Sequence, residues 1–341
     1  MNSGTSGTVL VTGGSGYLGR WCVRQLLDSG YPVRTTVRSA SKIPALRTLF
    51  GDSQALSVYA GDLLHDDGWK EAVTGCDYVL HVASPIPPRE PEHPDELIVP
   101  ARDGTLRVLR ASFDGGVRRV VVTSSSGAVR NPGTGSPARP LTETDWADPG
   151  NPKLGAYPRS KTLAERAAWE YADDHGERDR LTVVNPGTII GPLLGDHRPY
   201  SLQTIDRLLA GSVPAVPRLG FGFVDVRDIA DLHVRAMTTP EAAGQRFLAA
   251  GPFMWLADVA TLLREELGAR ASRVPRRVAP DALVRLLARF DRSLRPVLGE
   301  LGQEYAYSTD KARQVLNWEQ RPARQSILDC ARSILDQPAP A

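Results

Sequence analysis

A glycine-rich segment near the start of the chain constrains the fold more than any other feature. The β-branched and apolar residues Thr8 to Val11 predict a short buried strand. The chain continues as Thr-Gly-Gly-Ser-Gly-Tyr-Leu-Gly over residues 12–19, and an apolar pattern that stops at Gly30 predicts a helix directly afterwards. A strand, a glycine turn and a helix in this order form a phosphate-binding unit, because backbone N–H groups at the helix N-terminus can approach a pyrophosphate.

The spacing of the glycines departs from the standard fingerprint. Gly13, Gly16 and Gly19 give Gly-x-x-Gly-x-x-Gly, whereas the standard pattern is Gly-x-Gly-x-x-Gly. One glycine would allow the tight turn, one the approach of the pyrophosphate, and one the close packing of helix on strand. A glycine loop alone can be a mere turn, but its position between the first strand and the first helix predicts a dinucleotide site. The cofactor contacts expected from this loop are Gly13, Ser15, Gly16, Tyr17, Leu18 and Gly19.

The end of the second predicted strand, Val33 to Val37, indicates which dinucleotide binds. An acidic residue at this point hydrogen-bonds a ribose 2′-hydroxyl, whereas an arginine suits a 2′-phosphate. The chain has Arg38, with Lys42 close behind it, and we therefore expect NADP (NADPH) rather than NAD as the cofactor. The alternative is that Arg38 only caps a solvated strand end.

Predicted strands and helices alternate through most of the chain. Near-continuous apolar strands separated by helices predict an α/β protein with a Rossmann-type, doubly wound parallel sheet, whose ligands lie at the carboxyl ends of the strands. A Pro/Gly-rich turn is expected over residues 185–192. The remaining predicted strands cover 55–60, 77–84, 117–123, 181–184, 221–225 and 245–249, and the longest predicted helices cover 94–113, 157–171 and 226–238.

The C-terminal part of the chain has a different pattern. After Phe253 the predicted elements are helices, and no repeat or low-complexity linker separates the two parts. We expect a smaller, mainly helical substrate lobe packed on the first domain. Its predicted segments are 186–220 and 251–341, and the NADP-binding Rossmann domain is predicted over 1–185, with 221–250 returning to it.

Tyr157 and Lys161 lie one turn apart at the start of a predicted helix. An ammonium close to a phenol favours the phenolate and lowers its pKa from about 10, so that the phenol can exchange a proton with a substrate oxygen near neutral pH. The same pair is common on solvated helix faces, and it gains weight here from the glycine loop. Ser124 to Ser126 follow the strand that ends at Thr123, where they either form a turn or offer hydroxyls to a substrate carbonyl.

Composition excludes several other classes of function. The 41 basic and 39 acidic residues leave a net charge of +2, which provides no electrostatic surface for nucleic acid or an anionic membrane. Cys22, Cys76 and Cys330 form no metal-binding or redox spacing. His81 and His233 fit hydrogen-bonded structural roles. With no signal-peptide pattern and no apolar run of about 18 residues, we expect a soluble, cytoplasmic protein without a metal.

The motifs together resemble the extended short-chain dehydrogenase/reductase family. The most similar branch contains dihydroflavonol 4-reductase, cinnamoyl-CoA reductase and microbial aldehyde or ketone reductases, and the resemblance extends over nearly the whole chain. It rests on the order and spacing of the glycine loop, Arg38, 61–63, 81–85, 123–125, the Tyr157/Lys161 pair and 223–228.

The resemblance implies a role for each catalytic candidate. Tyr157 would protonate the carbonyl oxygen as hydride arrives from the nicotinamide, and Lys161 would hold the nicotinamide ribose and lower the pKa of Tyr157. Ser125 would hydrogen-bond the same oxygen, and it is preferred to its two neighbours because it follows Thr-Ser, as in the plant reductases. Beyond the glycine loop, Arg38 and Lys42, the implied cofactor contacts are Asp62, Leu63, Val82, Ala83, Ser84, Thr123, Tyr157, Lys161, Pro186, Gly187 and Thr188.

The substrate contacts implied are Ser84, Ser126 and Arg130. Arg130 stands where the plant dihydroflavonol enzymes place a substrate-binding Asn, so the sequence departs from that specificity. The expected lining segments are 86–93, 127–150 and 188–220, which combine Pro, Gly and apolar residues with few charges. This composition favours a moderately apolar, uncharged carbonyl compound, although Arg130 leaves a charged substrate open.

These observations favour an NADPH-dependent oxidoreductase that reduces an aldehyde or ketone to an alcohol, or catalyses the reverse, by Ser/Tyr/Lys catalysis. The first alternative is an NAD-dependent nucleotide-sugar epimerase or dehydratase, against which Arg38 argues. The second is a cofactor-sensing protein without turnover, which the intact Tyr157/Lys161 pair disfavours. The expected assembly is a monomer or a homodimer.

Overall fold

The structure is a computed structural model that describes residues 7–85, 93–195, 199–290 and 298–337. Its strands are β1 (Val9–Thr12), β2 (Val33–Val37), β3 (Leu56–Ala60), β4 (Tyr78–His81), β5 (Arg119–Thr123), β6 (Leu181–Pro186), β7 (Thr188–Ile190), β8 (Val216–Pro217), β9 (Gly220–Asp225), β10 (Arg246–Ala249), β11 (Phe253–Trp255) and β12 (Val278–Ala279). Its α-helices are α1 (Tyr17–Asp28), α2 (Ile43–Leu49), α3 (Trp69–Val73), α4 (Asp95–Asp114), α5 (Ala156–Asp174), α6 (Gln203–Ala210), α7 (Val226–Thr238), α8 (Leu256–Leu267), α9 (Asp281–Leu287), α10 (Asp310–Leu316) and α11 (Ala323–Leu335).

The large sheet has seven strands in the order β10-β6-β5-β4-β1-β2-β3. Every neighbouring pair is parallel, and the register sets Val9 of β1 opposite both Val33 of β2 and Tyr78 of β4. The chain runs outward from β1 to β3 and then returns to β4 on the other side of β1. A crevice for a ligand opens where the strand order reverses in this way. The Rossmann-type, doubly wound parallel sheet predicted from the sequence is confirmed.

Helices cover both faces of this sheet, which explains its continuous apolar strands. Successive side chains of a strand point to opposite faces. Val9 and Val11 lie in the apolar cluster formed with α1 and α7, whereas Leu10 lies in the cluster formed with α4 and α5. All three side chains are completely buried. Packing on both faces therefore fixes the strands and brings their carboxyl ends to one edge.

Two small sheets form outside the large one. In the first, β7 pairs with β9 in parallel and β11 pairs with β9 antiparallel; in the second, β8 pairs with β12. The helical C-terminal region is confirmed, and the predicted domain boundaries stay a prediction. The sequence pattern predicts only a turn over 185–192, and this prediction is wrong for β7. Thr188 pairs with Phe223 of β9, so this short strand depends on a partner that its local pattern does not reveal.

The helices are amphipathic, as α1 illustrates. The helix stops where Gly30 takes a left-handed conformation with φ of 80°, which is a common glycine signal after a helix. The buried residues of α1 repeat with the three- and four-residue spacing of one helix face and are Tyr17, Leu18, Gly19, Cys22, Val23 and Leu26.

Within the described ranges no helix is both long and apolar enough to cross a bilayer.

The cysteines are buried thiols without a disulfide partner. Burial raises the pKa of Cys76 to about 11 and the pKa of Cys330 to about 12, and it also raises the pKa of Cys22. A protonated thiol is a poor nucleophile and metal ligand. The three residues therefore act as small apolar side chains of the core.

Phe247 tests how much the edge strand β10 contributes to the core. Its side chain is completely buried in the apolar cluster that includes α1 and α7. We expect Phe247→Ala to lower the free energy of unfolding by about 3 to 5 kcal/mol, because it removes buried apolar surface and leaves a cavity. Phe290 is 84% exposed, so Phe290→Ala should change this free energy by less than about 0.5 kcal/mol. Urea denaturation followed by circular dichroism measures both, and equal midpoints would contradict the contribution of β10.

Candidate active site

Most of the predicted site residues lie in loops at the carboxyl edge of the large sheet. Residues 13–16 follow β1, residues 82–84 follow β4, and residues 124–126 follow β5. Pro186, Gly187 and Thr188 lead from the end of β6 into β7. Because β1, β4, β5 and β6 are adjacent and parallel, these segments meet at the crevice where the strand order reverses.

The hydroxyl of Thr12 joins the loops after β1 and β4. It accepts the backbone N–H groups of Val82 at 3.1 Å and Ala83 at 3.0 Å, and it lies 2.9 Å from Nδ1 of His81. Since two N–H donors occupy its acceptor positions, Thr12 donates its own proton to His81. His81 is therefore neutral, and burial, together with the nearby charge of Lys161, lowers its pKa to about 3.

The glycine loop fits closely against its neighbours. Gly13 has φ of +71°, and a Cβ there would lie 3.0 Å from the Cβ of Ala83. A Cβ at Gly19 would lie 2.3 Å from the carbonyl oxygen of Gly13. The N–H of Gly16 donates to the same carbonyl at 2.9 Å. A side chain at Gly13 or Gly19 would push the loop away from the strand and helix that hold it.

The first turn of α1 suits an anion such as a pyrophosphate. The N–H groups of Tyr17, Leu18 and Gly19 lack intrahelical partners, and the helix dipole favours negative charge in front of them. The side chains of Tyr17 and Leu18 are buried in the core, and the Tyr17 hydroxyl donates to the carbonyl of Gly191 at 2.8 Å. Among the predicted cofactor contacts, Tyr17 and Leu18 can therefore act only through their backbone, whereas Ser15 lies in the loop itself.

Four further predicted contacts lie beside the outer strands. Arg38 and Lys42 follow β2, and both side chains are exposed. Asp62 and Leu63 follow β3, and the Asp62 carboxylate accepts the N–H of Leu64 at 3.0 Å. Since β2 and β3 are neighbours in the sheet, these residues share the side of the crevice to which the sequence analysis assigns the adenosine end of the dinucleotide.

Two of the three candidate serines have partners away from the tyrosine. The hydroxyl of Ser124 is buried and donates to the carboxylate of Glu165 at 2.6 Å. Ser126 is hydrogen-bonded to Tyr307. Neither arrangement presents a hydroxyl to the same point as the phenol of Tyr157.

Ser125 and Tyr157 contact each other through their hydroxyls. The Ser125 oxygen also accepts the N–H of Gly127 at 3.0 Å, which holds it at the start of a short 3-10 turn. Tyr157 lies in the first turn of α5 and has 37% of its surface exposed, so a ligand can reach it. The structure thus brings together the serine and the tyrosine that the sequence analysis selects.

The pKa of Tyr157 differs from the expectation. Desolvation by the surrounding protein raises it above the ordinary value of a phenol, and the hydrogen bond with Ser125 opposes the shift without reversing it. The predicted lowering by Lys161 does not appear, and the Lys161 ammonium donates to the carbonyl of Thr123 at 3.1 Å. Tyr157 is therefore a protonated phenol in this structure, which is the form that can donate a proton.

Lys161 is a buried cation, with only 6% of its surface exposed. Burial lowers its pKa to about 8, and the charge of Glu165, one turn further along α5, opposes that shift. Lys161 lines a small cavity of about 10 Å³ together with Ser84, Thr123 and Glu165. A lysine that titrates this close to neutral pH beside a cleft is typical of functional sites.

Thr123 links the site to α7. Its hydroxyl lies 2.7 Å from Nε2 of His233, whose Nδ1 lies 2.7 Å from the carbonyl oxygen of Ile229. Because Nδ1 must donate to that carbonyl, Nε2 accepts the proton of Thr123. Burial lowers the pKa of His233 to about 4 and keeps it neutral. The Thr123 hydroxyl is thus committed to His233, and its carbonyl holds Lys161.

Arg130, an implied substrate contact, is paired within the protein. It forms an ion pair with Glu300, and its side chain is 9% exposed. The guanidinium also lies 4.0 Å from the ring centroid of Tyr305. These partners could not be predicted from the sequence, because Glu300 lies 170 positions after Arg130 and no local pattern joins them. Residues 86–92 and 196–198 of the predicted substrate lining lie outside the described residues.

Three buried polar residues behind the site were also missed. Glu165 receives a hydrogen bond from Nδ2 of Asn185 at 2.7 Å and has Nε of Arg246 at 2.8 Å. Glu165 could have been found, since it lies one turn after Lys161 on the same helix face. Arg246 carries no such signal, because β10 reaches the site only through its pairing with β6.

The arrangement has a definite chemical capacity. Two hydroxyls, those of Ser125 and Tyr157, can donate to one oxygen, and the phenol can transfer its proton to that oxygen. The nearby ammonium of Lys161 can stabilise a phenolate. Within the described part of the chain no group of His, Cys, Asp or Glu side chains is arranged to hold a metal ion.

Comparisons with known proteins show which family the chain matches and which proteins it is similar to. Residues 9–250 match the model of the NAD dependent epimerase/dehydratase family. Cinnamoyl-CoA reductase 1 of Petunia hybrida is 38% identical over 267 residues, which cover 77% of this chain and 78% of that protein. Dihydroflavonol 4-reductase of Zea mays is 35% identical over 269 residues, covering 76% and 74%. The yeast methylglyoxal/isovaleraldehyde reductase complexed with NADPH has a TM-score of 0.79 at 25% identity, covering 96% of this chain and 98% of that chain.

Gly19 tests the fit of the glycine loop. In Gly19→Ala the added Cβ would lie 2.3 Å from the Gly13 carbonyl oxygen, so α1 must move away from the loop. We expect the free energy of unfolding to fall by about 1 to 3 kcal/mol and the dissociation constant of NADPH, the predicted cofactor, to rise about tenfold. Gly299→Ala is the control, since its Cβ would meet only the Lys153 carbonyl oxygen, at 3.8 Å. Thermal melts with and without NADPH measure both effects, and native values for Gly19→Ala would contradict the loop geometry.

Proposed function

The chain belongs to the NAD dependent epimerase/dehydratase family, as an extended short-chain dehydrogenase/reductase, and we propose that within this family it is an NADPH-dependent reductase of an aldehyde or ketone. The family resemblance inferred from the motifs is confirmed. The observation that carries the proposal is the contact of the Ser125 and Tyr157 hydroxyls beside the buried Lys161. Two hydroxyls that can meet one oxygen suit carbonyl reduction, in which that oxygen gains negative charge and then a proton.

Ser125 and Tyr157 would bind the carbonyl oxygen of the substrate together. Bound NADPH supplies the hydride that reduces the carbonyl carbon. As negative charge develops on the oxygen, both hydroxyls donate hydrogen bonds to it and stabilise it. Tyr157 then transfers its proton to the oxygen, and an alcohol results.

Lys161 would stabilise the phenolate that Tyr157 becomes after this transfer. A phenolate in desolvated surroundings is unfavourable, which is the reason that the pKa of the resting Tyr157 is raised. The Lys161 ammonium, which donates to the Thr123 carbonyl in the resting site, would offset this effect by turning toward the phenolate. Because the pKa of Lys161 is about 8, most of the protein carries this cation at about pH 7.

NADPH is the proposed cofactor on two grounds. Arg38 and Lys42 are exposed beyond β2, at the position where a basic residue suits the 2′-phosphate of the adenosine ribose. The yeast reductase that shares the fold is itself complexed with NADPH. The glycine loop and the first turn of α1 would hold the pyrophosphate through backbone N–H groups.

An uncharged carbonyl compound is the proposed substrate class. The positive charge of Arg130 is balanced by Glu300, and its guanidinium stacks on Tyr305, so Arg130 offers little attraction to an anion. Burial raises the pKa of Tyr307, and the charge of Arg130 and a hydrogen bond with Ser126 oppose that shift. Tyr305 and Tyr307 place aromatic side chains beside Arg130, and such side chains favour an apolar body around the reacting carbonyl.

The epimerase or dehydratase alternative has weaker support. The description of the matched family includes both activities. The relatives named above are both reductases, and Arg38 does not suit the NAD that the alternative requires. Ser126 and Gly127 also provide no acidic residue beside Ser125.

Tyr157→Phe tests the proton donor. We expect kcat for NADPH-dependent reduction of the best substrate in a panel of aldehydes and ketones to fall by about a hundredfold or more, because the variant removes the general acid. The dissociation constant of NADPH should stay within about twofold. Tyr171 lies further along α5 and stacks on Phe113, so Tyr171→Phe controls for loss of a hydroxyl on the same helix. Native turnover by Tyr157→Phe would rule out its role as the acid.

Arg38→Ala tests the choice of cofactor. Loss of a hydrogen-bonded charge pair with the 2′-phosphate should raise KM for NADPH about tenfold to a hundredfold, while KM for NADH should change little. Arg110, an exposed residue of α4, provides a control in Arg110→Ala. Equal changes in KM for NADPH and for NADH in Arg38→Ala would show that Arg38 does not bind the 2′-phosphate.

A further inference from the structure

A buried ion pair lies directly behind the proposed site. Glu165 is on α5, one turn after Lys161, and its side chain has no exposed surface. Arg246, the first residue of β10, places Nε 2.8 Å from one Glu165 oxygen and has 9% of its side chain exposed. The helix that carries Tyr157 and the edge strand of the sheet are thus joined through two buried, opposite charges.

The other oxygen of Glu165 receives two further donors. The hydroxyl of Ser124 lies at 2.6 Å and Nδ2 of Asn185 at 2.7 Å. Asn185 also donates from Nδ2 to the backbone carbonyl of Ser125 at 3.2 Å. The groups around Glu165 are hydrogen-bond donors, which is the arrangement that suits a carboxylate. The segment that carries Ser125 is therefore attached to this carboxylate at two points.

The same carboxylate faces Lys161. Glu165 and Lys161 line one small cavity, to which α4 contributes the uncharged residues Ala101 and Thr105. His81 is the other titratable residue that lines it, and it is neutral. Burial lowers the pKa of Lys161 and the charge of Glu165 raises it. Glu165 is thus the counter-charge that favours the ammonium form.

We propose that Glu165 is a positioning residue of the site: its carboxylate, held by Arg246, fixes the Ser125 segment and provides the negative charge that Lys161 faces. The inference rests on the reductase function proposed above, which gives Ser125 and Lys161 their roles. A buried ammonium without a counter-charge is strongly disfavoured. Glu165 therefore acts on the reaction through two other residues and does not itself contact the substrate.

The pKa of Lys161 provides a readout that would not change if Glu165 only supported the structure of the site. Lys161 is cationic below its pKa, and removing the negative charge of Glu165 lowers that pKa. The cation is then lost at a lower pH. Reduction should accordingly decline at a lower pH than in the native chain, whereas a merely loosened site would lose activity equally across the pH range.

Two variants and one control separate these effects. Glu165→Gln keeps the shape and one acceptor oxygen but removes the charge. Since it leaves Arg246 buried and unpaired, which can unfold a protein, Glu165→Gln with Arg246→Gln is the second variant. Asp228→Asn is the matched control, because Asp228 is a buried carboxylate of α7 that pairs with Arg321 outside the site.

The first measurement follows Lys161 directly by NMR. The chain has five lysines, so selective ¹³C labelling of lysine gives few signals, and Lys161→Arg identifies the one required. We expect the titration midpoint of Lys161 to move to lower pH in both Glu165 variants and to stay unchanged in Asp228→Asn. An unchanged midpoint in the Glu165 variants overturns the proposal, whether or not the protein reduces any carbonyl compound.

The second measurement is kcat with NADPH between about pH 6.5 and about pH 8.5. We expect the ratio of kcat at the upper pH to kcat at the lower pH to fall about fivefold in the Glu165 variants relative to the native chain. If kcat of the Glu165 variants falls by the same factor at all pH values, the proposed role of the Glu165 charge is overturned. If the native chain reduces no carbonyl compound, the proposed function fails, and the titration of Lys161 still decides the role of Glu165.

Discussion

The hydroxyl of Thr12 is the interaction on which the crevice depends. It binds two N–H groups of the loop after β4 and donates to His81, so that all its hydrogen-bonding positions are used. Without it, the N–H of Ala83 would lose its partner, whereas the N–H of Val82 would keep the carbonyl of Leu80 at 3.1 Å. The bond also holds Ala83 against Gly13, at the point where the strand order reverses.

The same hydroxyl influences the charges of the site. By donating to Nδ1, Thr12 selects the neutral form of His81, so that no second cation stands beside Lys161. His233 is kept neutral in a similar way, between Thr123 and Ile229. Two buried histidines therefore act as uncharged hydrogen-bonding partners. The positive charge of Lys161 remains next to a single buried carboxylate, and the phenol of Tyr157 remains protonated.

Elements with a clear local sequence pattern were predicted well from the sequence. β2 and α7 have the predicted bounds; α7 begins after Asp225, whose side chain accepts the N–H of Arg227. β7 was missed because its stability comes from β9. In the site, Ser125 was selected by resemblance, whereas its distinction from Ser124 and Ser126 depends on partners that only the fold supplies. The raised pKa of Tyr157 was not predictable, since desolvation depends on what surrounds a residue in three dimensions.

The pairing of Arg130 with Glu300 has a consequence for how the chain is made. Glu300 follows Arg130 by 170 positions, and a segment of this length takes about 10 to 30 s to synthesise at ribosomal rates of about 5 to 20 residues per second. During this interval Arg130 has no counter-ion, and β6 is an open sheet edge until β10 emerges. A nascent chain in this state exposes both a strand edge and apolar surface, which are the features that chaperones protect from aggregation. The part of the substrate site that contains Tyr305 would thus form only after the ribosome has synthesised Tyr305.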